Sequence, residues 1–126
     1  MNPLLKPVEW ISSSRDDLRK FPEEVQQMMG FALYRAQLGK KHPDAKPLKG
    51  FKGSGVIEIV EDFDGDTYRA VYAVKFEGVV YVLHAFQKKS KRGIATPKQE
   101  INLIEMRLKR ARAHHETYSE QNKPEK

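Results

Sequence analysis

Hydrophobic positions alternate with polar ones through most of the stretch from Val56 to Lys91, a pattern typical of half-buried β-strands. β-branched and aromatic residues form three runs, at 56–61, 68–76 and 79–91. Asp64-Gly65 and Glu77-Gly78 separate these runs, and two-residue loops ending in glycine favour tight hairpins. The centre of the chain is therefore predicted to form a three-stranded antiparallel meander.

Before the meander, the pattern changes to a helical period. Residues 7–11 predict a short edge strand, and 14–20 predict a first helix with serine caps and acids in its first turn. A second helix is predicted from Pro22 to Gly39. Its apolar residues recur at helical spacing: Val25, Met28, Met29, Ala32, Leu33 and Ala36. The two helices are expected to pair as an αα-hairpin.

After the meander, Thr96-Pro97-Lys98-Gln99 fits a capping box that opens a C-terminal helix. Residues 40–53 contain several prolines, glycines and lysines and predict an exposed loop. Residues 114–126 are polar and aperiodic, so we expect one domain over 1–113 and a disordered tail. The predicted fold class is α+β, with an N-terminal strand and αα-hairpin packed on a small antiparallel sheet.

The two turns also predict the strand register and hence the two faces of the sheet. Arg69 should lie opposite Phe86, and Val71 opposite His84. One face is the predicted core under the helices: Ile57, Ile59, Tyr68, Ala70, Tyr72, Val74, Tyr81, Leu83 and Ala85. The other gathers Glu58, Arg69, His84, Phe86 and Lys88 toward one end, which we interpret as a cleft wall. The alternative is a cross-strand ion pair of Glu58 with Arg69 that only solvates the sheet.

Composition narrows the possible classes of protein. The chain has 126 residues, of which 39% are apolar and 32% charged, values typical of one packed domain with a charged exterior. No run approaches the ~18 apolar residues of a membrane span, and the first residues lack the apolar core of a signal peptide. Cysteine is absent, which excludes disulfides, thiolate zinc sites and a cysteine nucleophile. We expect a cytoplasmic protein that does not contact membranes.

The net charge of +6 is unevenly distributed. Between His84 and Arg112, nine lysines or arginines face two acids, a local charge of +7. A polyanion, most commonly nucleic acid, is the natural partner, although a solvated helix kept soluble by lysines remains possible. Arg92 and Lys98 are RNA-binding candidates in this segment. Lys49 and Lys52 could add phosphate contacts or could only hydrate their loop.

Several motifs resemble the RelE/HigB toxin superfamily, in particular its phage-derived branch, whose toxins pair with helix-turn-helix antitoxins. The resemblance covers about residues 7–113 and rests on the order of elements and on four segments: Ile57-Glu58-Ile59, 68–72 (Tyr-Arg-Ala-Val-Tyr), 83–90 (Leu-His-Ala-Phe-Gln-Lys-Lys-Ser) and 96–101 (Thr-Pro-Lys-Gln-Glu-Ile). It implies a RelE-like fold and the toxin of a type II toxin–antitoxin pair. Such a toxin would cut mRNA, usually on the ribosome and without metal, until its antitoxin neutralises it.

The resemblance assigns the catalytic strand arginine to Arg69 and the basic residues after the last strand to Lys88, Lys89 and Lys91. Cleavage of RNA without metal needs a base for the 2′-OH, cations for the phosphorane and an acid for the leaving 5′ oxygen. A planar guanidinium suits the scissile phosphate. Phe86 could stack on a base. His84 has the best intrinsic pKa for acid–base work, but a lone strand histidine is more often structural.

Two other classes of function remain open from sequence. ParE-like toxins share the fold and act on DNA gyrase, and a phage-derived nucleic-acid-binding protein would need no catalysis. No cofactor is expected, because there is no glycine-rich phosphate loop. No metal site is expected either, since no metal-spaced cluster of histidine and acids is evident. His114 and His115 are adjacent on a helix and face different directions.

Overall fold

The computed structural model describes residues 5–51, 53–88 and 96–121. Its elements are β1 (Val8–Trp10), α1 (Ser14–Arg19), α2 (Glu23–Gln37), β2 (Ala45–Pro47), β3 (Val56–Phe63), β4 (Asp66–Ala73), β5 (Val80–Lys88) and α3 (Lys98–Gln121). The strands form one five-stranded sheet in the order β1-β5-β4-β3-β2. Strand β1 is parallel to β5 and the other pairs are antiparallel. The α+β class, the meander and the flanking helices are confirmed.

One strand was missed from sequence. The predicted loop at 40–53 contains β2, which pairs with β3 so that Ala45 lies opposite Ile59. Its other two residues, Lys46 and Pro47, are exposed at the sheet edge. Natural edge strands often carry lysine and proline, which discourage further pairing. These same residues made the strand look like a loop.

The predicted register holds for most of the meander. Arg69 lies opposite Phe86 and Val71 opposite His84. The register then shifts, so that Tyr72 pairs with Val82 and Leu83 is the extra residue of a bulge. Because a bulge reverses the alternation beyond it, the predicted faces of Tyr81, Val82 and Leu83 were wrong.

Both faces of the sheet are covered by helices. One face packs against α1 and α2 around Val25, Met29 and Tyr72. The other packs against α3, where Ile104 and Leu108 meet residues of β4 and β5, including Leu83. The centre of the second face is therefore core, and the cleft wall interpreted from sequence concerns only the end of this face that carries His84, Phe86 and Lys88. An open surface lies near the end of β5.

Helix α3 is longer than predicted. It continues to Gln121, so the prediction of a disordered tail was wrong for residues 114–121. Tyr81 Oη lies 2.7 Å from His114 Nδ1, and the rings of His115 and Phe76 are 5.2 Å apart. These contacts secure a segment whose polar composition gave no sign of packing. No described helix combines the length and apolar character needed to cross a membrane.

Candidate functional site

An open cleft lies beside the second half of β5. Strand β1 pairs only with Val80–Val82, so the later part of β5 is flanked instead by α1 and by the start of α3. The cleft measures about 800 Å³ and we call it the β5 cleft. It is lined by Asp17, Lys20, Phe21, His84, Ala85, Phe86, Gln87, Lys88, Pro97, Gln99 and Glu100.

His84 is held in one tautomer between the Glu100 carboxylate and the Arg107 guanidinium. Its Nε2 lies 2.7 Å from Glu100 Oε2, and its Nδ1 lies 3.3 Å from Arg107 Nη1. Because a guanidinium can only donate hydrogen bonds, Nδ1 accepts and Nε2 carries the proton that Glu100 accepts. Burial lowers the pKa of His84, against the opposing effect of Glu100. The ring is thus a neutral donor that fixes the Glu100 carboxylate.

Arg107 anchors this pair to the rest of the molecule. Its Nη1 donates to the Leu83 carbonyl at 2.9 Å, and its Nη2 donates to Ser13 Oγ at 2.9 Å. The side chain is buried although it is charged. It therefore ties α3 to β5 and to the turn before α1, and so determines where Glu100 stands.

Arg69 lies next to the cleft, opposite Phe86 in the sheet, but is not one of the residues that line it. Its Nη1 donates to Glu58 Oε2 at 3.1 Å and to Thr96 Oγ1 at 3.0 Å. The ion pair proposed from sequence as the alternative for Glu58 is thus present, but both side chains are buried rather than solvated. The Thr96 hydroxyl, which was predicted to cap α3, accepts the hydrogen bond from Arg69. The backbone amides of Glu100 and Ile101 donate hydrogen bonds to the Pro97 carbonyl.

The structure brings together three of the predicted site residues. His84, Phe86 and Lys88 all line the cleft, and the rings of His84 and Phe86 stack with centroids 4.8 Å apart. Lys88 is only 7% exposed. Burial and the neighbouring charge of Arg69 lower the pKa of Lys88, which Glu58 partly offsets.

The other predicted contacts are scattered or lie beyond the described chain. Lys98 is exposed in the first turn of α3, close to the cleft. Lys49 is exposed after β2, at the opposite edge of the sheet. Lys52, Lys89, Lys91 and Arg92 lie outside the described residues.

Sequence reasoning missed Glu100 and Arg107 as site residues. They are seven positions apart and share the inward face of α3 with Ile104. The signal available in the sequence was that Glu100 and Arg107 stand at helical spacing from the apolar residue Ile104, on the same face of the helix. It was overlooked because only apolar residues were assigned to the buried face.

A second cluster of titratable groups lies at the other edge of the sheet. Ligand atoms of His42, Asp44 and Glu61 all lie within 4.8 Å of one another. The pairing of β2 with β3 brings the loop that carries His42 and Asp44 beside Glu61. The spacing of these residues along the chain did not indicate this cluster, because the pairing of β2 with β3 was not predicted.

Comparisons with known proteins identify the family. The sequence model of the family described as phage derived protein Gp49-like (DUF891) matches residues 16–109. The chain belongs to this family, which confirms the phage-derived branch recognised from its motifs. Among solved structures, the toxin–antitoxin complex RelBE2 from Mycobacterium tuberculosis is similar at 24% identity, covering 66% of this chain and 98% of that chain with a TM-score of 0.44. No curated protein matches.

Proposed function

We propose that this protein is the toxin of a type II toxin–antitoxin pair and cleaves mRNA in the β5 cleft, during translation on the ribosome. The observation that carries this proposal is the Glu100–His84 pair at 2.7 Å in a cleft that also contains the buried Lys88. Paired acid–base groups beside a cation are what RNA cleavage by side chains requires. The family and the motifs of the sequence support the toxin class.

Glu100 is the proposed general base. A carboxylate has two oxygens that accept hydrogen bonds, and His84 engages Oε2. The second oxygen would take the proton of the 2′-OH as that oxygen attacks the adjacent phosphorus. His84 is then a positioning residue, since its two nitrogens are engaged by Glu100 and Arg107.

Lys88 is the proposed general acid. As the phosphorus–oxygen bond to the 5′ oxygen breaks, the ammonium would donate a proton to that oxygen. A lowered pKa makes this donation easier, and the positive charge stabilises the phosphorane. Lys20 and Lys98, both exposed, would hold flanking phosphates, and Phe86 would stack on a base.

Arg69 has a different role in this proposal from the one that the family resemblance implied. Its guanidinium binds Thr96, just before α3, and its charge contributes to the lowered pKa of Lys88. It would therefore position the start of α3 and tune the proton donor, while the phosphate is contacted by the lysines.

Pulse induction in cells, followed by mapping of mRNA 5′ ends, tests the proposal. The wild type should stop growth and create new 5′ ends, and Glu100→Gln should abolish both while keeping a hydrogen-bond acceptor for His84. Glu105→Gln, on an exposed position of the same helix, is the matched control. Cleavage of translated mRNA but not of naked mRNA in vitro would establish dependence on the ribosome.

Two results would contradict the proposal. Growth arrest without new 5′ ends would favour a ParE-like gyrase inhibitor. Full cleavage by Glu100→Gln would show that Glu100 is not the general base. The partner prediction has its own test, because the neighbouring reading frame should encode a small helix-turn-helix antitoxin. Co-expression of that protein should restore growth.

A further inference from the structure

We infer that His42, Asp44 and Glu61 form a binding site for a divalent transition-metal cation, with zinc as the best match. The three side chains converge at the sheet edge farthest from the β5 cleft. Imidazole nitrogen and carboxylate oxygen are ordinary zinc ligands, and three protein ligands with a water molecule complete a tetrahedral site. The inference is independent of the proposed RNA cleavage.

The histidine is already in a suitable tautomer. His42 Nδ1 accepts a hydrogen bond from the Asp44 amide at 3.0 Å, so its lone pair is unprotonated and directed toward Asp44. A metal ion would take over this lone pair and displace the amide. The ring also makes an edge-to-face contact with Phe31, which restricts its orientation.

The spacing requires only a small closure. His42 Nδ1 lies 3.9 Å from Asp44 Oδ2, and all the ligand atoms lie within 4.8 Å of one another, whereas two ligand atoms of tetrahedral zinc are about 3.4 Å apart. The Asp44 side chain is 56% exposed and can move, while that of His42 is 13% exposed and nearly fixed. The cluster can therefore contract around an ion without repacking the core.

Electrostatics favour a cation at this position. Glu61 is half-buried and lies beside Asp44 in space and next to Asp62 along the chain. A divalent cation would be attracted to these acidic groups and would offset the repulsion between them.

The ion would link two segments that are far apart in sequence. His42 and Asp44 precede the three-residue strand β2, and Glu61 belongs to β3. Binding would therefore fasten the short edge strand to the sheet and stabilise the folded state. We assign the site a structural role.

Calorimetric titration of the untagged, EDTA-treated full chain with zinc sulfate tests this inference. We expect one zinc ion per chain and a rise in Tm of at least about 4 °C. Glu61→Gln and His42→Ala should each weaken binding at least about tenfold. The matched controls Glu116→Gln and His114→Gln, both on exposed positions of α3, should bind zinc as the wild type does.

Glu61→Gln also separates a lost ligand from a damaged fold. Because it removes a repelled charge, its Tm without zinc should equal or exceed that of the wild type, while the zinc-induced rise disappears. A lower Tm without zinc would overturn the inference, as would wild-type zinc affinity in both cluster variants or no zinc binding by the wild type. None of these results would bear on mRNA cleavage.

Discussion

The ionisable groups near the β5 cleft and those at the β2 edge of the sheet are arranged in different ways. Near the β5 cleft, Glu100 faces His84, which in turn faces Arg107, and Arg69 faces Glu58. At the far edge, the charges that act on Glu61 come from Asp44 and Asp62 and are negative. Near the cleft, hydrogen bonds through the neutral His84 and the Arg69–Glu58 ion pair hold these groups in fixed positions, whereas like charges that lie close together repel one another and favour a proton or a bound cation between them. The first arrangement suits positioned acid–base groups, and the second suits an ion.

The largest loss of stability is expected on mutation of Arg107, whose guanidinium links α3 to β5 and to the turn before α1. Arg107→Met keeps the volume of the side chain but removes donors to the Leu83 carbonyl, His84 and Ser13 Oγ. Leaving buried acceptors unpaired should lower the free energy of unfolding by about 3 kcal/mol. Urea denaturation measures this, with the exposed Arg112→Met as control. A loss no larger than that of the control would mean that the network does not stabilise the fold.

A smaller change is expected in the way stability depends on pH, and it comes from Glu61 at the β2 edge of the sheet. The pKa of Glu61 is raised from 4.5 to about 7, so its contribution to stability is complete below pH 4.5 and is lost as the pH rises through 7. Solvent screening reduces the loss to about 1 kcal/mol. Buried His84 has a lowered pKa and acts in the opposite sense, since its contribution is lost as the pH falls.

Comparing the stability of the wild type with that of Glu61→Gln isolates the contribution of the Glu61 carboxyl group. Denaturant midpoints measured from pH 4.5 to 8 without metal should show that the wild type loses stability relative to the variant as the pH rises. Parallel curves for the two proteins would show that Glu61 titrates normally.

The smallest change in stability is expected for Lys46, an exposed residue that lies close to the buried Glu58. Lys46 Nζ lies 3.8 Å from Glu58 Oε1, but its side chain is 64% exposed. Solvent screens such pairs, so Lys46→Ala should change the free energy of unfolding by less than about 0.5 kcal/mol. Thermal unfolding at low and high salt measures this. A loss above about 1 kcal/mol would show that Glu58 depends on Lys46 as well as on Arg69.

Local patterns predicted most of the fold because strands, turns and helix starts depend on near neighbours. They missed β2, whose exposed lysine and proline resemble a loop, and the last turns of α3, which depend on contacts of His114 and His115 with distant aromatic rings. They also missed the bulge at Leu83. One inserted residue reverses the faces of a strand without changing its hydrophobic pattern.

For the candidate site, the order of residues along β5 was enough to predict a histidine, an aromatic ring and a lysine at alternate positions, which regular pleating places on one face. The groups that contact them depend on the packing of distant segments. That packing set Glu100 and Arg107 against His84, turned Arg69 toward Thr96, and gathered His42, Asp44 and Glu61 at the other edge. Contacts between distant segments depend on how helices pack on the sheet, and no spacing along the chain encodes that packing directly.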